Sequence, residues 1–106
     1  MTRVTKRSRV RRGEGVFEAL GFSPEKAQCL RVRSQLLTAL QTAIEKKGIP
    51  QAAAAKLLGI TQPRVSNLLR GRIDLFSTDA LIELLARVGI GVRLTLRPLP
   101  PSGRAA

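Results

Sequence analysis

Five side chains in the run QPRVSNLLR, residues 62–70, carry chemistry of one kind: Gln62, Arg64, Ser66, Asn67 and Arg70. On a helix, Val65, Leu68 and Leu69 share one side and these five share the other. Gln and Asn can each donate and accept at an adenine edge, Arg can fork onto guanine, and Ser suits either base. That is the chemistry of reading bases in a groove. Pro63 has no hydrogen bond to offer, so its part in such a surface is apolar, as against a thymine methyl. Thr61 can cap the helix, and the free amides of a first turn without acids suit a phosphate.

Charge around this run has one sign. Residues 46–72 contain no Asp or Glu, while Lys46, Lys47, Lys56, Arg64, Arg70 and Arg72 are basic. A solvated helix face ordinarily mixes signs, so the one-signed stretch argues for a polyanionic partner. Lys56, Arg70 and Arg72 are then candidates for phosphate contacts that carry no sequence information.

Something must hold those side chains in place. Ahead of them, QAAAAKLL from Gln51 reads as a short helix that begins near Pro50, and Gly59 allows the positive φ of a tight turn. Ile60 restarts the apolar pattern. Two short helices joined by a glycine turn cross steeply, and a close crossing needs a small residue such as Ala55. Upstream, Ser23 is an N-cap with Pro24 at the first helical position and Glu25 at the positive end of the dipole. Leu30, Leu37, Leu40 and Ile44 then recur at helical spacing, flanked by Leu36 and Ala43, as far as Lys46, Lys47 and the stop at Gly48. The resulting rod is roughly 35 Å long, and its first turns, with Lys26, Arg31 and Arg33, project toward a partner. Before it, GVFEALGF reads as a helical turn closed by Gly21, with Phe17, Leu20 and Phe22 as apolar anchors. Ser77 starts a last helix with Asp79 in its first turn, Phe76 and Leu81 placed as a hydrophobic staple, and a buried face of Leu81, Leu84, Leu85 and Val88 ended by Gly89.

Beyond Gly91 the period changes: Val92, Leu94 and Leu96 alternate with Arg93, Thr95 and Arg97, a strand pattern. No other segment offers a strand to pair with it, which points to the same strand of a second copy and hence to a homodimer. The alternative is an extended tail over the helices. Residues 1–13 form a basic arm, either solvated or touching DNA, since Arg3, Lys6, Arg7, Arg9, Arg11 and Arg12 stand there without an acid. Residues 98–106, rich in Pro, Ser and Gly, form a second flexible tail. Residues 14–97 are the folded domain between them.

Composition agrees with this plan. The chain has 106 residues, room for one core, and a formal charge of +12 that is best tolerated beside a polyanion. Its aromatics are three Phe, so the core is aliphatic and the stacking platforms of single-stranded RNA binders are missing. No apolar run reaches the ~18 residues of a membrane span, and no secretory leader follows the basic start, so a cytoplasmic protein is expected. There is no His and one Cys, with no carboxylate pair in a predictable cleft and no phosphate-cradling glycine loop. Neither an enzyme nor a metal or cofactor site is expected. Cys29 reads as a small buried or half-buried helix residue.

At Gln51, Ala55, Leu58, Gly59, Ile60, Gln62, Val65, Leu68 and Gly71 the segment resembles the XRE class of helix-turn-helix proteins, the phage Cro and repressor-like family, without insertion. The longer run from about Phe17 to Arg97 is similar to a compact subgroup often found as antitoxins beside RelE- or HigB-type toxins. The resemblance implies an all-α, lambda-repressor-like domain of five packed helices, a dimer bound to a double-stranded operator, and repression of its own operon. A protein toxin is the further partner it implies, and a stand-alone or phage-type regulator is the alternative. Carried over by position, Gln51 sits at a phosphate, Gln62 and Asn67 at bases, and Arg64 and Ser66 at bases or adjacent phosphates. One departure stands out: Pro50 occupies the place of the usual Ser or Thr cap and brings no side-chain acceptor.

Overall fold

A computed structural model describes residues 15–99 of the chain. The proposed basic arm, and most of the proposed C-terminal tail, lie outside the described residues. Helix α1 spans Val16–Ala19, α2 Pro24–Lys47, α3 Gln51–Leu58, α4 Gln62–Leu69 and α5 Thr78–Arg87, with a single 3-10 turn at Ile73–Leu75 before α5. The all-α expectation of five helices therefore holds among the described residues.

Each boundary has a local cause. Ser23 Oγ accepts from the Lys26 amide at 3.2 Å, with Pro24 just inside α2, and Gly48 ends that helix at φ 62°. Thr61 and Ser77 cap α4 and α5 in the same way, accepting from Arg64 N at 3.3 Å and Ala80 N at 3.1 Å. Pro50 precedes α3 in an extended conformation with no side-chain cap. Between α3 and α4 the chain turns at Gly59, φ 71°, whose N–H reaches Ala55 O at 2.8 Å. A Cβ built there would run into the Arg87 guanidinium of α5. That guanidinium can swing away, so the lasting cost of Gly59→Ala is the left-handed backbone, about 1–2 kcal/mol of stability in a urea titration.

One core joins the helices. Leu37, Leu40 and Ile44 of α2 meet Ala54, Ala55 and Leu58 of α3, Val65 and Leu68 of α4, Phe76, and Leu81, Leu84 and Leu85 of α5. Its one ring is Phe76, buried in the same cluster as Leu81. Ala54 and Ala55 are both buried where α3 crosses α4, so the small residues serve the close crossing. Val88 is only half-buried and flanks the cluster.

Other expectations need correction. Residues 90–99 form no strand, and Leu94 and Leu96 stand 72% and 89% exposed. The reason is that every other described element is helical, so the described residues offer this segment no ladder. The first turns of α2 do not project bare, because α1 packs on them over buried Ala27 and Leu30. Arg31 is not free for a partner either: it pairs with Glu18 of α1 at 3.0 Å, which holds the Glu18 carboxyl below its ordinary range. Of the three proposed anchors, Phe17 is half-buried and meets Phe22 edge to face at 6.2 Å, while Leu20 is 70% exposed. Cys29 is exposed, since its position on α2 falls outside the Ala27, Leu30, Leu37 stripe.

Candidate nucleic-acid interface

Helix α4 is split as its sequence demands. Val65 and Leu68 are fully buried and Leu69 is half-buried; the rest of the surface carries Gln62, Pro63 and Arg70 exposed with Ser66 and Asn67 half-buried, and Arg64 is half-buried at its edge, one turn before Leu68. No acid lies in the first turn of α3 or α4. The positive ends of both short helices are thus uncompensated, which favours an anion there. Gln51 occupies the first position of α3, exposed, and Lys56 is exposed near its end. Thr61 is exposed, with its hydroxyl accepting the Arg64 amide as the cap of α4.

Three of the basic side chains on or beside this face are held by neighbours. The Arg64 guanidinium carbon stands 4.5 Å from the centre of the Phe76 ring. A guanidinium stacked on a ring face keeps its N–H fork free at the edges, so Phe76 orders Arg64 without consuming its donors. Arg70 Nη2 donates to Asn67 Oδ1 at 3.2 Å. The Asn67 amide nitrogen keeps both donors, and its oxygen keeps a second lone pair for an adenine amino group. Arg72 forks onto Asp74, with Nε to Oδ1 at 3.2 Å and Nη2 to Oδ2 at 3.1 Å.

A family model described as a helix-turn-helix domain matches residues 17–97. Among solved structures, a chain titled "Putative XRE Family Transcriptional Regulator" is similar at 37% identity and a TM-score of 0.65, over 76% of this chain and 90% of that one. This chain belongs to the XRE helix-turn-helix family. A search of curated proteins gives no match. In this XRE protein the turn is Gly59 to Thr61, and the second helix of the motif is α4. No helix among the described residues is long and apolar enough to cross a membrane.

The ion pair beside the motif changes how its charge is counted. Arg72 holds the Asp74 carboxyl below the ordinary carboxylate range, and Asp74 raises the Arg72 guanidinium in turn. With the carboxyl pKa depressed, the pair is present above the usual value and is lost only as pH falls through the lowered one. At neutral pH Asp74 therefore competes with any anion for the Arg72 guanidinium. Replacing Asp74 by Asn is expected to strengthen binding to any duplex. The log-log salt slope should steepen by about 0.9 for each phosphate contact so released. An unchanged slope would remove Arg72 from the phosphate set.

Three residues of this region escaped the sequence reading: Asp74 as the partner of Arg72, Phe76 as the support of Arg64, and Gln41 of α2, whose Nε2 donates to Leu68 O at 2.8 Å. Asp74 carried a signal, since it is the first acid after the acid-free run. Gln41 carried one too: it is a polar residue four positions after Leu37 and three before Ile44, on the apolar side of α2. The place of Phe76 over Arg64 depends on how α5 packs back, which no local pattern encodes.

Proposed function

We propose that this XRE protein is a sequence-specific regulator of transcription that binds double-stranded DNA through α4. The observation that carries the reading is the face of Gln62, Arg64, Ser66, Asn67 and Arg70, backed by fully buried Val65 and Leu68 inside an acid-free run. Base reading falls to Gln62, Arg64, Ser66 and Asn67, with Pro63 as an apolar contact. Gln51, Lys56, Thr61, Arg70 and Arg72 supply phosphate contacts. Reading DNA in this way calls for neither catalytic groups nor a cofactor. A cytoplasmic location goes with it.

Repression as a homodimer is the form that fits best. Val92, Leu94 and Leu96 leave apolar surface exposed that a second copy would cover. Two copies would then address half-sites about 34 Å apart. The finer reading is an antitoxin that neutralises a protein toxin and represses its own operon. Exposed Leu20, Phe22, Leu94 and Leu96 favour a protein partner of that kind. A toxin-sized reading frame beside the gene supports the antitoxin; an isolated or phage-borne gene supports a stand-alone regulator.

Binding-site selection from random duplexes, at stated salt, tests the core of the proposal. Enrichment of one motif, repeated at one-turn spacing, is expected. Recovery of random sequences would overturn it.

A further inference from the structure

Gln41 reaches from the middle of α2 to the far end of α4. Its Nε2 lies 2.8 Å from Leu68 O and 3.5 Å from Leu69 O, and the side chain is partly buried. These are carbonyls of the last turn of α4, which an isolated helix leaves without donors. Leu68 O also takes the Gly71 N–H at 3.1 Å, so two donors converge where the helix ends. The chain turns at Gly71, φ 77°, and a Cβ built there would stand 3.7 Å from Gln41 Nε2. The amide thus lies against the turn that follows the carbonyls it binds.

Burial of Val65 and Leu68 keeps α4 against the core, but apolar contact is non-directional and sets rotation and tilt only loosely. A hydrogen bond is directional. The carbonyls that Gln41 holds belong to the two residues directly after Asn67, so the tie and the Asn67 side chain share one turn of α4. Phosphate contacts tolerate a small shift, whereas a bidentate contact to a base edge does not.

We infer that Gln41 is a positioning residue for base reading: its amide fixes the rotation of α4, and with it discrimination between sequences rather than overall affinity for DNA. The inference rests on the reading of α4 as the base-reading helix. Two substitutions separate the donor from the bulk. Gln41→Met keeps nearly the same volume without a donor, and Gln41→Lys keeps a donor on a long stem.

The test compares both variants with the full wild-type chain in two measurements. The first is amide hydrogen exchange without DNA at Arg70, Gly71 and Arg72, whose N–H groups bind Ser66 O, Leu68 O and Asn67 O. The second is the ratio of Kd on a scrambled duplex to Kd on the duplex selected by the wild type. For Gln41→Met we expect exchange at these amides to quicken severalfold. Its Kd ratio should fall about five- to tenfold, with scrambled-duplex binding held within about twofold. Gln41→Lys should return both readouts close to wild type. Unchanged exchange and ratio in Gln41→Met, parallel losses on both duplexes, or a failure of Gln41→Lys to rescue would each overturn the inference. Should the wild type itself show no preference, base reading fails, and the exchange measurement still decides whether Gln41 holds the end of α4.

Discussion

Changing Phe76 to Ala is expected to cost about 3–5 kcal/mol of folding stability, lowering the thermal midpoint by roughly 4–8 °C for each kcal/mol lost. Phe76 is 1% exposed and is the one ring in the shared cluster of α2, α3, α4 and α5, so its removal leaves a cavity that helices on several sides would have to fill. A thermal or denaturant melt followed by circular dichroism measures the loss. Phe76→Leu makes a sharper comparison. Leu preserves most of the apolar volume, so the cost should stay below about 1.5 kcal/mol, yet the flat face under Arg64 is gone. The Leu variant should therefore fold well and discriminate between duplexes less well than wild type. If it binds with unchanged preference, the stacking of Arg64 on Phe76 has no part in recognition.

Arg64→Ala carries the second large effect, a loss of about 1–3 kcal/mol on the preferred duplex with random DNA nearly unaffected. Arg64 lies half-buried at the edge of the buried side of α4, one turn before Leu68, its amide is fixed by Thr61, and its guanidinium is ordered on the Phe76 ring. A fork ordered before binding loses less freedom on meeting a guanine than a free one. If Arg64 only neutralised a phosphate, both duplexes would lose alike and the salt slope would fall by about one. Titrations against both duplexes at two salt concentrations separate these outcomes.

Much of the fold was legible because its signals are local. Ser23, Thr61 and Ser77 cap by side chains that reach three residues forward, and Gly48 and Gly59 end helices through their own backbone angles. Apolar spacing likewise gave the buried faces of α2, α4 and α5. What the sequence could not carry was set by packing across the chain. Arg31 and Glu18 are thirteen positions apart, and their pairing follows from α1 folding back on α2. The alternation of Val92, Leu94 and Leu96 matches a strand pattern, but a pattern specifies a face and not a partner, and the described residues hold no partner strand. At the candidate interface, the polar face of α4 was readable residue by residue. Its supports, Gln41 and Phe76, come from other elements and emerge only when α2 and α5 close around the motif.

The central claim is that α4 reads bases, and repeating the binding-site selection with Asn67→Ala tests it most directly. Loss of preference confined to one base-pair position in each half-site, with the remaining motif and its spacing intact, is the predicted result. A motif identical to that of the wild type at every position would contradict it, and would leave α4 a helix that touches DNA without reading it.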